Sequence, residues 1–267
     1  MISIIHPSRL NTQAVCFNLF FTLLIHSKSC TAYAWVVADQ TINGSESGSS
    51  FKQALFFKEI GLNIHDTMIW RKVNPMPNNQ GKRYFNSFEY MFIFSKGTPK
   101  TFNPIMEKCK LVGTKVKAGH THLDIKEKRK MNRDFIVKEE RYMYNVWDIA
   151  VSANKTIHTA AFPLKLAEDH VSTWSNKGDL VFDPFLGSGT TVVAAIELER
   201  NFIGCELNKD YYNESIKRIE NKINEIVPSA IPIAANICGM YLSANRPAIG
   251  ARITWHTGAT NRMVPAV

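Results

Sequence analysis

No two prolines are adjacent anywhere in the chain, no cysteine pair shows C-x-x-C spacing, and no internal repeat is visible. The five cysteines, Cys16, Cys30, Cys109, Cys205 and Cys238, are dispersed and odd in number, which excludes a zinc-ribbon framework and argues against a disulfide scaffold. They read as reduced thiols of a cytoplasmic protein, with no metal site. Acidic residues are also in short supply: 23 Asp and Glu face 32 Lys and Arg, for a formal charge of +9 and a pI near 9.3, a balance suited to a polyanionic partner. The apolar run at residues 14–25 is too short to span a bilayer, so no membrane partner is expected. A secretory leader is the competing reading, because Ala32-Tyr33-Ala34 has small residues at signal-peptidase spacing. Cleavage there would cut into the edge of the next strand, and a buried helix over residues 17–25 is preferred.

What is present centres on residues 179–206. An apolar run, Leu180 to Phe182, has the length of a buried strand and is followed at once by Asp183, Pro184 and the glycines Gly187 and Gly189. Thr190 and Thr191 can cap or open a helix, whose apolar face is Val192, Val193, Ala195, Ile196 and Leu198. Phe202, Ile203, Gly204 and Cys205 read as a second strand ending at Glu206. This is one β-turn-α-β unit. Glycines allow close backbone approach to a ligand, the helix start presents unpaired N–H groups, and a carboxylate about 20 residues on can take two ribose hydroxyls. The unit predicts an adenosine-bearing cofactor. Position 192 is Val where a dinucleotide turn would place its third glycine, which disfavours nicotinamide and flavin enzymes.

The string Asp183-Pro184-Phe185-Leu186-Gly187-Ser188-Gly189-Thr190-Thr191 resembles the S-adenosylmethionine-binding motif of the DNA amino-methyltransferases, which methylate adenine N6 or cytosine N4. The resemblance covers roughly residues 34–222. It implies an α/β fold with a Rossmann-like methyltransferase sheet, S-adenosylmethionine as cofactor, double-stranded DNA as partner and a place in restriction–modification. Asp183, Pro184, Phe185, Gly187, Ser188, Gly189, Thr190 and Glu206 are then the cofactor-binding candidates. His158-Thr159-Ala160-Ala161-Phe162-Pro163 is similar to the family's H-P-A-x-F-P motif, with Thr159 in place of the usual proline, and adds His158, Phe162 and Pro163 beside the cofactor.

The remaining chain divides by composition. Residues 34–97 read as strand, helix, strand, strand: a β-rich run at 35–38, a polar loop through Asn43, Gly44 and Ser47 to Ser50, a helix over 51–60, and strands over 65–72 and 88–97. The aromatic residues of the 88–97 strand are assigned mostly to the core, and the order resembles the family's catalytic half. Residues 98–145 form a basic insert; counted from Lys96 to Asn145, thirteen Lys and Arg face six Asp and Glu. In the family such an insert is the target-recognition region, where lysines would neutralise phosphates and base-edge contacts would set the sequence. Residues 146–227 form the cofactor half, with a helix over 164–174 and another from Asn208 whose Tyr212, Arg218 and Ile219 resemble the family's Y-x-x-x-x-x-R-I helix. Residues 228–267 contain no Lys, Asp or Glu and read as a poorly ordered tail; residues 1–33 read as an atypical leading segment.

This order resembles the permuted β class of the family, whose chains begin with a strand ending in D-P-P-Y, N-P-P-Y or S-P-P-Y. That motif accepts hydrogen bonds from the target amine and stacks its aromatic ring on the extruded base. Here Met1 to Ile5 is a candidate strand, but His6-Pro7-Ser8-Arg9 follows it, so no catalytic residue is assigned. If the family's first strand is missing, the backbone beside it is left unpaired unless the leading segment substitutes. The sequence is read as an incomplete DNA methyltransferase, with a homodimer partner or a complementing methylase subunit as a candidate source of the motif. An inactive DNA-binding remnant or half-enzyme is the alternative.

Overall fold

The computed structural model describes residues 2–4, 32–75, 77, 82–116, 135–151, 162–226, 236–239 and 254–256. Two units emerge, one combining Met1–Asn103 with Asn145–Val267, the other comprising Pro104–Tyr144. The larger unit runs β1 (Ile2–Ile4), β2 (Ala32–Val37), β3 (Thr41–Ile42), β4 (Ser45–Glu46), α1 (Ser49–Glu59), β5 (Asn63–Lys72) and β6 (Phe88–Ser95). The smaller holds β7 (Met106–Lys108), β8 (Lys115–Val116), β9 (Phe135–Ile136) and β10 (Glu140–Tyr142). The chain then continues through β11 (Val146–Ile149), α2 (Leu164–Trp174), β12 (Leu180–Asp183), α3 (Thr190–Glu197), β13 (Asn201–Cys205), α4 (Lys209–Ile226), β14 (Asn236–Gly239) and β15 (Thr254–His256).

One sheet has the order β1-β2-β6-β5-β11 and the other β12-β13-β14-β15. In the first, β2 is apolar along its whole length because both of its faces are buried. Tyr33, Trp35 and Val37 lie opposite Phe94, Phe92 and Tyr90 of β6, and Phe57 of α1 closes over them. Tyr90, Phe92 and Phe94 stack in a row, with ring centroids 5.5 and 6.0 Å apart. The intervening residues Met91 and Ile93 are fully buried on the opposite face; His170 of α2 reaches Met91 there and packs against Trp147 of β11. Burial holds the His170 imidazole neutral, down to about 3.

Several expectations are met and others corrected. The strands and helices expected between residues 34 and 97 form in the expected order. The loop expected around Asn43-Gly44 is instead a two-residue hairpin between β3 and β4, since both residues adopt left-handed backbone, at φ 50° and 78°. Asn-Gly is the sequence pattern that favours such a turn. In α1 only Ala54 and Phe57 of the apolar residues are buried, while Phe51 and Leu55 are more than half exposed. The helix is anchored at its start by Asp39, which accepts hydrogen bonds from Ser47 Oγ at 2.8 Å, Ser49 Oγ at 3.0 Å and Ser50 N–H at 3.1 Å.

At the sheet edge, β1 pairs in parallel with β2, Ile2 opposite Ala34 and Ile4 opposite Val36. The leading segment thus supplies the backbone partner that β2 would otherwise lack. The His6–Arg9 stretch, the helix expected over 17–25, and the insert's His120 and His122 lie outside the described residues. Within the tail, β14 pairs in parallel with β13, and β15 pairs antiparallel with β14.

The basic insert is entered and left at two asparagines of the larger unit. Asn103 donates its N–H to Thr173 O at 2.8 Å and its amide to Ser172 O and Ser175 O at 3.1 Å. Asn145 accepts from Ile69 N–H at 2.8 Å and donates its amide to Thr67 O at 3.1 Å. Within the insert, β7 and β10 pair antiparallel, as do β8 and β9, structure that its poor periodicity had not indicated.

Helices α2, α3 and α4 pack in sequence, and a charged cluster joins them: Lys222 of α4 pairs with Glu197 of α3, beside Glu168 of α2. Burial and the shared proton with Glu197 push the Glu168 carboxyl up to about 7. Burial alone would raise Glu197, but its bonds from Glu168 and Lys222 outweigh this and hold it below its usual range. The raised Glu168 stabilises the fold fully below its unfolded value of 4.5, and that contribution is lost as pH rises through about 7. Glu168→Gln is therefore expected to raise the melting midpoint at pH 8 by about 2–4 °C, under roughly 1 kcal/mol after solvent screening. It should change little at pH 5, which melts across that pH range will check.

Candidate cofactor site

The site is built where β12 ends and α3 begins. Asp183 is the last residue of β12 and is buried, as are Pro184, Leu186, Ser188 and Thr190. Its carboxylate accepts from Phe185 N–H at 3.0 Å and from Thr191 Oγ at 2.6 Å, closing the turn on itself. Burial pushes the Asp183 carboxyl up to about 6 against the pull of these two bonds, and the nearby Glu206 carboxylate adds a smaller upward push. Both oxygens of Asp183 are thus engaged in fixing the turn, a positioning role that its place in the motif does not reveal.

Helix α3 is capped by Gly189 rather than by a threonine side chain. Its φ of 86° is left-handed, where any other side chain is strained, and a Cβ there would crowd Ser215 Cβ of α4 at 3.0 Å. Thr190 and Thr191 open the helix without capping it through their side chains, and Thr191 donates its hydroxyl to Asp183.

Glu206 follows β13 and its carboxylate lies against the glycine turn. Oε2 accepts from Gly187 N–H at 2.7 Å and Oε1 from Asn208 N–H at 2.8 Å. Each oxygen keeps a further lone pair. Leu186 N–H also donates to Cys205 O at 2.9 Å, so turn and strand end are tied at two successive residues. The ring of Phe185 is half-buried against Phe182 and Cys205 and meets Trp35 of β2 edge-on at 6.3 Å, the contact that joins the glycine turn to the core of the other sheet.

Residue types and spacing had not singled out the support from α4. Arg218 donates to Ser188 O at 2.7 Å and Ser188 Oγ at 2.9 Å, clamping the turn from behind. The signal available was the Tyr212-to-Arg218 spacing, which marks the helix without saying what its arginine holds. Ser188 is therefore a partner of Arg218 as well as a turn residue. Pro163 is buried at the start of α2, with Phe162 half-buried beside it; His158 lies outside the described residues. Among the described residues no group of three or more His, Cys, Asp and Glu could hold a metal ion, and no helix is long and apolar enough to cross a membrane.

A strand, glycine turn, helix and second strand, with an acidic residue bonded back to the turn, form a Rossmann-like unit suited to an adenosine-bearing cofactor, as in S-adenosylmethionine-dependent methyltransferases. A solved structure, that of M1.HpyAVI, shares the fold at a TM-score of 0.52 and 26% identity, over 82% of this chain and 86% of that one. The chain belongs to the N6/N4 DNA methylase family, whose model it matches over residues 29–217. It is 45% identical over 198 residues to the orphan methyltransferase M.BamHII of Bacillus amyloliquefaciens, covering 71% of this chain and 74% of that relative. It is 33% identical over 167 residues to the type II methyltransferase M.MjaI of Methanocaldococcus jannaschii. That match covers 57% of this chain, which spans about half of the relative's length, 48%.

Proposed function

We propose that this chain binds S-adenosylmethionine at the Gly187–Glu206 turn and methylates the exocyclic amine of adenine (N6) or cytosine (N4) at specific sites in double-stranded DNA. The observation that carries the reading is the Glu206 carboxylate, held by two backbone N–H groups at the strand end with lone pairs left for a ribose diol. The donor set fits the cofactor: the carboxylate suits two hydroxyls, the glycine turn suits close approach, and Phe185 offers an apolar wall. Phe162, Pro163 and His158 would flank the methionine end. Bound there, S-adenosylmethionine supplies a methyl group on a sulfonium, an electrophile for an amine lone pair. The chain's own residues hold and orient: Asp183 and Arg218 keep the turn in place, and the basic insert's lysines neutralise phosphates. The setting is the cytoplasm, a reading supported by the dispersed, odd-numbered cysteines of the sequence, which lack disulfide or metal spacing. A second copy or a companion methylase subunit would supply the aromatic-proline motif if the chain alone binds cofactor without transferring methyl groups.

The test pairs calorimetric titration of S-adenosylmethionine with tritiated-methyl transfer to unmethylated genomic DNA. Wild-type chain is expected to bind and label DNA. Glu206→Ala is expected to weaken cofactor binding about 10- to 150-fold, the worth of a charge-assisted hydrogen bond, with Glu206→Gln intermediate because its amide oxygen can still accept from Gly187. Unchanged affinity in Glu206→Ala would refute the site.

A further inference from the structure

In the smaller unit one arginine is held in a way that a solvated charge is not. Arg141 lies in β10 directly opposite Glu107 of β7, and its Nε pairs with Glu107 Oε1 at 2.8 Å. Its guanidinium lies over the Tyr144 ring, 4.1 Å from the centroid, and one terminal nitrogen donates to the Tyr144 hydroxyl. An ion pair at Nε, without hydrogen-bond geometry at Glu107 Oε1, and an aromatic face therefore restrain the guanidinium together with the Tyr144 hydroxyl. Yet the Arg141 side chain is 46% exposed, and Tyr142 and Tyr144 are more than half exposed beside it.

Holding a long side chain in one rotamer costs side-chain entropy, and an exposed ion pair returns little of it. Fold stability thus gives a weak reason for this arrangement. Recognition gives a stronger one. A guanidinium oriented by neighbours loses less freedom when it makes two parallel hydrogen bonds, and the acceptor pair matching its fork on a duplex is O6 and N7 of guanine in the major groove. Phosphate oxygens can also accept the fork, but Lys108, Lys110 and Lys138 of the same unit are exposed point charges that suffice for phosphate contact.

We propose that Arg141 is a specificity-determining residue that reads one guanine of the recognition site, with Glu107 and Tyr144 as its positioning residues. The proposal rests on the reading of the insert as the DNA-recognition region. A bidentate arginine–guanine contact discriminates by about 5- to 150-fold against another base, and lysine retains the charge without the fork.

The test is selection of bound duplexes from a randomised pool by the full-length chain with S-adenosylmethionine present, comparing wild type, Arg141→Lys and the double variant Lys110→Ala/Lys138→Ala. Thermal melts confirm that each is folded. Wild type is expected to enrich a motif containing a guanine. Arg141→Lys should lose preference at that one position by about 5- to 150-fold while keeping the others. The double lysine variant should bind all sequences more weakly, with the salt slope reduced by about 2 and the motif unchanged. If Arg141→Lys keeps the motif intact while the lysine variant loses affinity, the arginine assignment is overturned and the insert's role stands. If neither variant alters DNA binding, the reading of the insert falls and the proposal with it.

Discussion

Asp183→Ala is expected to lower stability by roughly 2–4 kcal/mol, because Phe185 N–H and the buried Thr191 hydroxyl both lose their acceptor. Cofactor affinity should fall by about 100-fold or more, since these two bonds set the path of the chain from β12 into α3 and small displacements of binding groups are costly. Asp183→Asn separates the two roles. Its amide oxygen still accepts from Phe185 N–H, and the Thr191 hydroxyl can turn to accept from the amide nitrogen, so much of the turn survives. Denaturant melts and calorimetric titration of S-adenosylmethionine on the three proteins will measure this. Equal melts and equal affinities for wild type and Asp183→Ala would show that the turn is held by something else.

Trp35→Ala is expected to cost roughly 3–5 kcal/mol, the range for truncating a fully buried tryptophan, and to lower the melting midpoint by about 6–20 °C. The indole is 1% exposed, meets Phe57 edge-on at 4.9 Å and donates from Nε1 to Gln53 Oε1 at 2.8 Å. It also backs Phe185, so the cavity opens on the glycine turn, and cofactor affinity should drop together with stability. Gln53→Ala, which removes only the hydrogen-bond acceptor, should cost about 1 kcal/mol or less and leave cofactor affinity unchanged. A Trp35→Ala protein with weakened stability and wild-type cofactor affinity would show that Phe185 does not depend on this support.

How much of this was legible depended on how far along the chain each cause lies. The turn at residues 183–191 and the acid at Glu206 are local signals, and spacing alone located them. The distinct jobs of Asp183 and Glu206 were not legible, because they follow from burial: Asp183 is sealed beneath Thr191, whereas Glu206 stays half-open. Arg218 and Ser215 act on residues some 25 to 30 positions earlier in the chain, and nothing in local pattern says which turn a helix will clamp. Sheet order was illegible for the same reason, since the pairing of β1 with β2 and of β14 with β13 depends on partners distant in sequence. The Asn43-Gly44 hairpin carries a local Asn-Gly signal, but its two-residue strands are too short to show alternation.

The two asparagines that bracket the basic insert give this architecture a modular grammar. Asn103 and Asn145, the residues on either side of the 104–144 segment, are held by backbone carbonyls and an amide of their own unit, through contacts that do not involve the residues between them. Whatever stretch of chain joins those two anchors, the catalytic body meets the same endings. If the segment is the DNA-recognition region proposed above, it could be exchanged wholesale, changing what is read while leaving the methyl-donor turn untouched.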